Sequence, residues 1–341
     1  MKYFTILFIA ILILFNSCAA TFRHGGTPPA WMTNLEADFP QSRYLAAVGS
    51  GSSRRRAQED ASALLAQQFS VHVRVNTVAQ ERYAELIRGD QRYREIMTML
   101  NHTIGTQADQ TFINLKFSDP YIDRTGTTHV VAYLERQPTA LIYRDLIRRD
   151  LEKAEDYFRR ANTAVGSLRR YAFFDAAYIM ALNAERMIDQ LRIIFPPMAA
   201  MMEMELDLRK FTAARDREAA NLSYRIAIDG DTDGRIAGIV REAMSGQAIS
   251  YSPNGSMVFR GTWSVTPVTV NPNFRSVNWI ANISLFDEAD TTIATFFRDA
   301  RENGLTETQA ETVAFREFQR QLSAELARGI NAYLTGIVIG N

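Results

Sequence analysis

Three aspartates at alternate positions form the segment with the most recognisable chemistry. Residues 229–234, Asp-Gly-Asp-Thr-Asp-Gly, place carboxylates and a turn glycine as the first half of a calcium-binding loop does. Such a loop closes with a bidentate glutamate, but Val240 occupies that position, and a strand instead of a helix is predicted before the loop. Two interpretations follow: a weak calcium site formed by Asp229, Asp231 and Asp233, or an acidic turn that stabilises the N-terminus of the next helix.

A second segment joins a glycine-rich turn to a run of arginines. Residues 49–53, Gly-Ser-Gly-Ser-Ser, lie between a predicted strand and a predicted helix, as in the turns whose backbone N–H groups receive a nucleotide phosphate. The third glycine of that motif is replaced by Arg54, and arginines at a helix N-terminus oppose the helix dipole. The segment is therefore either an anion site formed by Gly49, Gly51, Ser53 and Arg54, or a structural turn.

Residues for metal or nucleophilic catalysis are sparse. The histidines show no H-E-x-x-H or other paired spacing, so no zinc site is indicated; they are His24, His72, His102 and His129. There is no G-x-S-x-G elbow, and Cys18 is the only cysteine. We therefore expect no enzymatic activity and no cofactor other than a covalent lipid on Cys18. The open alternative is an unrecognised hydrolase whose carboxylates come together only on folding.

The first eighteen residues have the anatomy of an export signal. Lys2 precedes an apolar run that ends at Phe15, which is shorter than the roughly twenty residues of a membrane-spanning helix. The run leads into Phe-Asn-Ser-Cys at residues 15–18, which resembles a bacterial lipobox, with Phe15 in place of the usual aliphatic residue. This resemblance implies a lipoprotein signal peptide at residues 1–17. The alternatives are an ordinary signal peptide with an unrelated cysteine, or an N-terminal anchor that is never cleaved.

The lipobox resemblance implies a membrane anchor on Cys18. Its sulfur would carry a diacylglyceryl thioether, and its amino group would be acylated after cleavage. One acyl chain binds a membrane only reversibly, at about 0.8 kcal/mol for each buried methylene, whereas two or three chains hold stably. Membrane lipid is then the first partner. Ala19 follows the cysteine, which favours the outer membrane, on its periplasmic face or at the surface.

The composition describes an exported globular protein. The 341 residues are 47% hydrophobic and 22% charged, which is enough for a substantial core and about two domains. Basic and acidic residues both number 38, so no net charge attracts nucleic acid. With Cys18 acylated, no disulfide within the chain is available.

Hydrophobic patterning predicts an α+β fold with two α+β domains. After a flexible tether at residues 18–29, the first domain covers 30–137 in the order β-α-β-α-β-β. Its predicted elements are a strand from Tyr44, a helix at 54–69 with Ser53 as N-cap, a strand at 71–75, a helix at 93–104, and strands at 112–117 and 129–134. The first of these helices is predicted to have one buried face, formed by Ala57, Ala61, Leu64 and Leu65.

The first domain resembles a known family. The residues that carry the likeness are Trp31, the strand and turn at 43–51, the helix start Ala-Gln-Glu-Asp-Ala at 57–61, and the segment 70–73. They resemble the LPP-twenty type of bacterial envelope lipoprotein, and a domain of the flagellar assembly protein T has a similar arrangement. The resemblance implies a small α+β domain in an envelope lipoprotein, often associated with surface or trans-envelope structures, and no catalytic residues.

The rest of the chain divides into a helical part and a second α+β part. Residues 138–222 show continuous helical periodicity and are predicted to be a spacer. Residues 223–341 form the second domain, with a helix at 235–244, strands at 249–251, 257–259, 263–270, 278–286 and 293–297, and a final helix that begins at Thr306. The last apolar residues, 337–339, are predicted to close a sheet edge.

Two hypotheses of different classes follow. The first is a lipid-anchored, non-enzymatic protein of the cell envelope that builds or braces an assembly with other envelope proteins. The second is a ligand-binding envelope module that uses the turn Gly49–Arg56 for an anion or the turn Asp229–Gly234 for calcium.

Overall fold

The structure is a computed structural model that describes residues 27–73, 112–245, 247, 249–271 and 274–340. The chain divides into two compact units. Of the described residues, the first unit comprises 27–73, 112–142 and 193–195, and the second comprises the remainder. The α+β class predicted from the sequence is confirmed, with two sheets and a mixture of helices and strands.

The first unit is a helix packed on an antiparallel sheet. Its described elements are α1 (Ala30–Thr33), α2 (Leu35–Asp38), β1 (Tyr44–Gly51), α3 (Arg54–Val73), β2 (Lys116–Phe117), β3 (Tyr121–Ile122) and β4 (Thr128–Glu135). Strand β4 is central, and β1, β2 and β3 all pair with it antiparallel. Helix α3 packs on β1 and β4.

Small side chains let α3 lie close to the sheet. Ala57, Ala61 and Leu65 recur at helical spacing and are fully buried, as predicted for this face. They share the core with one face of the two strands, where Leu45 is opposite Leu134 and Ala47 is opposite Ala132. Leu64, predicted to belong to the same buried face, is instead 38% exposed.

Two predicted strands of the first unit are wrong in whole or in part. Residues 71–73 continue helix α3, because nothing in residues 54–73 ends the helix: the segment contains no glycine or proline. The predicted strand at 112–117 is reduced to two residues, because Asn114 adopts a left-handed backbone with φ 64°, which an extended strand cannot contain. Val75 and the helix predicted at 93–104 lie outside the described residues.

The helical region consists of four helices. They are α4 (Arg136–Thr163), α5 (Ser167–Ile194), α6 (Pro196–Glu205) and α7 (Leu208–Ala219). In the second unit α4 and α5 run antiparallel, because the hydroxyl of Tyr143 donates to Gln190 at 2.8 Å while the rings of Phe158 and Phe174 lie 5.2 Å apart at the other end. Buried residues of α4, α5 and α7 belong to the same hydrophobic core as the second sheet.

The second unit is built on a five-stranded mixed sheet. Its elements are β5 (Ser223–Asp229), α8 (Arg235–Met244), β6 (Ser250–Tyr251), β7 (Met257–Asn271), β8 (Phe274–Phe286), β9 (Thr292–Gly304) and α9 (Glu307–Ile339). The strand order is β6-β5-β7-β8-β9, in which β5 is parallel to both neighbours and β7, β8 and β9 form an antiparallel meander.

One face of this sheet, here called the covered face, packs against α9. Trp263 stacks on Trp279 at a ring-centre distance of 5.5 Å, and Phe318 of α9 lies 5.0 Å from Trp263. Helix α9 begins at the predicted cap, where Thr306 Oγ1 accepts from the Gln309 amide at 3.2 Å.

Two further predictions for this unit are wrong. Residues 337–339 continue α9 instead of forming a strand, because the buried stripe of the helix extends through Leu334 to Val338. The strands predicted at 257–259 and 263–270 are one strand, β7, in which Gly261 allows the carbonyl of Asn282 to approach.

Candidate functional site

The predicted glycine turn lies at the end of β1, and its glycines are explained by close packing. A Cβ atom on Gly49 would lie 2.1 Å from the Ala61 nitrogen and 2.4 Å from the Ala57 oxygen, both in the backbone of α3. A Cβ atom on Gly51 would lie 2.7 Å from the Cβ of Arg56. These positions admit only glycine because a helix and a strand touch there.

The other members of the predicted anion site serve the start of α3. The Ser53 hydroxyl accepts a long hydrogen bond from the Arg56 amide at 3.4 Å, which is a weak N-cap. Arg54 and Arg55 are exposed, and Arg55 lies 3.8 Å from Glu59 in the next helical turn. The structure therefore brings Gly49, Gly51, Ser53 and Arg54 into one strand–turn–helix segment, and helix formation accounts for their positions.

A serine, a histidine and an aspartate form a hydrogen-bonded chain beside this turn. Ser50 and His129 are cross-strand neighbours of β1 and β4, and Ser50 Oγ lies 2.8 Å from His129 Nδ1. The other ring nitrogen, Nε2, lies 3.1 Å from Asp123 Oδ2, in the turn between β3 and β4. Tyr121 stacks on the His129 ring at a distance of 6.3 Å. The chain was not predicted, because the register that places Ser50 opposite His129 is set only by folding.

Within the Ser50–His129–Asp123 chain, the Asp123 carboxylate has the most hydrogen-bond partners. Its Oδ1 receives the Thr125 amide at 2.9 Å, the Thr125 hydroxyl at 2.7 Å and the Thr127 amide at 2.9 Å. The Thr125 hydroxyl, followed by the His129 ring, lowers the pKa of the Asp123 carboxyl well below its usual range. The carboxylate is therefore charged at neutral pH and holds the imidazole in a fixed orientation.

The order of these groups is that of an activated serine, but their surroundings oppose acyl transfer. A nucleophilic serine needs N–H donors aimed at the developing oxyanion. The Ser50 amide instead donates to the carboxylate of Asp60 at 2.9 Å, which places a negative charge beside the position where the oxyanion would form. The arrangement is better suited to fastening β1, β4 and the turn between β3 and β4 together.

Two of the three aspartates predicted as a calcium site stabilise the start of α8. Asp231 uses both carboxylate oxygens, accepting from the amides of Ile236 at 2.9 Å and Ala237 at 2.8 Å. Asp233 accepts from the Arg235 amide at 3.1 Å. These bonds satisfy the unpaired N–H groups of the helix N-terminus, where negative charge is favourable.

Asp229 takes no part in that cap. It lies at the end of β5, where its backbone pairs with β7 opposite Thr262. Within the described ranges, no three acidic, histidine or cysteine side chains are grouped so that they could hold a metal ion.

A partly buried arginine, Arg136, is a structural residue that the sequence analysis did not predict. Arg136, the first residue of α4, donates through Nε to the carbonyls of Gln41 at 2.7 Å and Tyr44 at 3.2 Å. Its Nη1 donates to the carbonyls of Ile193 at 2.7 Å and Ile194 at 2.8 Å, at the C-terminus of α5. Burial lowers the pKa of this guanidinium from its ordinary value. No motif marks the residue, since all four partners are backbone atoms.

Cys18, the predicted lipid attachment site, lies outside the described residues, as do His24 and His102. His72 lies in α3. Among the helices that the structure describes, none combines the length and the apolar character needed to cross a bilayer.

The first unit matches a lipoprotein family. Residues 29–135 match the family model described as LPP20 lipoprotein. The resemblance carried by Trp31, the strand and turn at 43–51 and the start of α3 is thereby confirmed, and the match supports an envelope lipoprotein. The matched residues 29–135 make up the greater part of the first unit.

Comparison with individual proteins is less informative. No curated protein matches the chain. The secreted protein HP1454 from Helicobacter pylori is similar with a TM-score of 0.44 and 11% identity, over 85% of this chain and 99% of that protein. A minor lipoprotein from Acinetobacter baumannii has a TM-score of 0.26 and 14% identity, over 32% of this chain and 90% of that protein. Both scores are too low for a conclusion about shared architecture.

Proposed function

We propose that this chain is a lipid-anchored protein of the bacterial cell envelope with a non-enzymatic role in building or bracing an assembly. The observation that carries the proposal is the match of residues 29–135 to a lipoprotein family, together with a cysteine in a lipobox-like context at residue 18. Cys18 is the only cysteine of the chain, which is consistent with a dedicated attachment site.

The anchor would hold the first unit near the membrane. The tether at residues 18–29 reaches about 40 Å at most when fully extended, from a length of 3.3–3.6 Å for each residue. Acyl chains on the sulfur and the amino group of Cys18 supply the two or three hydrocarbon chains that stable binding requires. Ala19 after the cysteine supports the outer membrane as the destination.

A structural role is supported by how the candidate ligand sites are used. The groups of the glycine turn are committed to packing and to the start of α3, and Asp231 is committed to the start of α8. The Ser50–His129–Asp123 chain fastens neighbouring elements and has a carboxylate beside the serine amide. Other envelope proteins, or further copies of this chain, are the proposed partners.

Fatty-acid labelling in cells tests the anchor. Cells that express the full chain are fed an alkyne-tagged fatty acid, and membranes are then separated from soluble protein. The wild type and a Thr21→Ala control in the same tether should be labelled and sediment with membranes, whereas Cys18→Ala should be unlabelled and soluble. Labelled Cys18→Ala, or unlabelled wild type, would overturn the proposal.

A further inference from the structure

Strand β9 is a long strand at one edge of the second sheet. It ends the order β6-β5-β7-β8-β9, and within the described part of the chain no strand pairs with its outer side. It spans 13 residues, whereas the opposite edge strand, β6, has two. Because an edge of this length presents a row of unpaired backbone groups, it tends to pair with another strand unless something prevents it.

The second half of β9 would bring opposite charges together if it paired antiparallel with a second copy of itself. Residues 298–302 are Arg-Asp-Ala-Arg-Glu. When a second copy is laid antiparallel with Ala300 opposite Ala300, Asp299 lies opposite Arg301, and Arg298 lies opposite Glu302. Each of these pairs occurs twice because of the two-fold symmetry. Opposite charges at facing positions of an antiparallel pair are attractive.

The side chains of each pair also lie on the same side of the sheet. Strand alternation places Arg298, Ala300 and Glu302 on the covered face, and Arg298 donates to Gln321 of α9 at 2.5 Å. Asp299 and Arg301 are exposed on the opposite face, which is here called the open face. A two-fold axis perpendicular to the sheet keeps these faces aligned, so every complementary pair meets.

The existing contacts of the arginines leave donors for such a partner. Arg298 lies 3.6 Å from Glu325 through Nη2, and Arg301 donates through Nε to Asn278 at 2.9 Å. A guanidinium has five N–H donors, so both side chains can also bond a facing carboxylate. These contacts hold the guanidinium of Arg298 beside α9 and that of Arg301 beside β8.

The charge pattern also selects one register. An axis at residue 299 would place Asp299 opposite itself, and an axis at residue 301 would place Arg301 opposite itself. Like charges at facing positions are destabilising. The same residues therefore disfavour copies in these two misaligned registers and favour pairing about an axis at Ala300.

We propose that β9 pairs antiparallel with β9 of a second copy of this chain, about a two-fold axis at Ala300, and joins two five-stranded sheets into one. This pairing deepens the assembly role proposed above and rests on it, by naming a second copy as a partner. Anchored copies share a surface, which raises their effective concentration for the pairing.

Charge exchange tests the pairing in the full-length protein, purified from membranes in detergent. Its oligomeric state is measured by sedimentation equilibrium. The wild type should be dimeric, and Asp299→Arg or Arg301→Asp alone should raise the dimer dissociation constant on the order of tenfold or more, because each substitution makes two facing pairs repulsive. The double variant D299R/R301D restores opposite charges and should restore the dimer. Arg225→Glu, on the exposed side of β5, is the matched control and should remain dimeric.

A disulfide in cells provides the second measurement. Facing residues of antiparallel strands lie within disulfide reach, so Ala300→Cys should give a covalent dimer under mild oxidation, and Ser264→Cys in β7 should not. A monomeric wild type, a double variant no better than the single variants, or no cross-link through Ala300→Cys would overturn the pairing. Fatty-acid labelling of the same samples separates the two proposals, because loss of the dimer leaves labelling intact and loss of labelling in Cys18→Ala leaves β9 unchanged.

Discussion

The close contact between β1 and α3 predicts that Gly49→Ala destabilises the first unit. The added Cβ would lie 2.1 Å from the Ala61 nitrogen and 2.4 Å from the Ala57 oxygen, whereas contacts closer than 3.0 Å essentially never occur. Helix α3 must therefore shift by on the order of 1 Å. Overpacking of this kind costs about 1–3 kcal/mol, and a loss of ~2 kcal/mol lowers Tm by roughly 8–16 °C in a domain of ~100 residues.

Thermal unfolding of the full-length protein in detergent measures the effect, and hydrogen exchange locates it. Amides of residues 44–68 should lose protection in Gly49→Ala, because the strand and the helix separate. Gly238→Ala is the matched control: nothing lies within 4 Å of a Cβ there, and alanine is favoured over glycine inside α8 by up to about 1 kcal/mol. If Gly49→Ala has the same Tm as the wild type, the packing explanation for the glycine turn is refuted. The anion site would then be tested by measuring whether added phosphate raises the Tm of the wild type.

Three further predictions concern single side chains. Arg136→Met should destabilise the first unit by about 2–4 kcal/mol in urea unfolding, because two partly buried carbonyls at the C-terminus of α5 lose a charged donor; a loss below about 0.5 kcal/mol would contradict this. Asp231→Ala should cost about 1–2 kcal/mol through the loss of the α8 cap, and calcium should leave the Tm of the wild type unchanged, since both carboxylate oxygens already accept amides. Burial, together with the hydrogen bond to Asp287, raises the pKa of Tyr333 from 10.0 to about 12. The folded state thus favours the neutral phenol, so this contribution to stability is present below pH 10 and lost as the pH rises towards 12. Ultraviolet titration should show one phenolate near pH 12 that Tyr333→Phe removes, and an unchanged titration would refute the assignment.

Local signals predicted the elements whose ends and buried faces are set by neighbouring residues. Ala57, Ala61 and Leu65 define the buried side of α3, and the Thr306 cap marks the start of α9. These features depend on spacing and on side-chain–backbone bonds within a few residues, so they are visible in one sequence.

Some predicted strands are wrong because two local signals favour different structures for the same residues. Val71 and Val73 alternate with polar residues as in a strand, but both belong to helix α3. The strand propensity of valine is weaker than the effect of the helix that precedes them. The left-handed Asn114 shortens a strand, and asparagine is one of the few residue types that adopt this conformation readily.

The hydrogen-bonded chain depends on register instead of local sequence. Ser50 and His129 are 79 positions apart and meet only because β1 and β4 align in one way. A shift of one residue would send each side chain to the other face of the sheet. The same limit applies to the proposed β9 pairing, whose complementary charges become meaningful only once the strand is known to lie at an edge.

Intact mass spectrometry of the protein purified from membranes tests the lipoprotein assignment most directly. We expect a chain that begins at Cys18 and carries the mass of a diacylglyceryl group and an N-acyl chain, both released with the N-terminal peptide after proteolysis. A chain that begins at Met1, or one that begins beyond Cys18 without lipid, would contradict it.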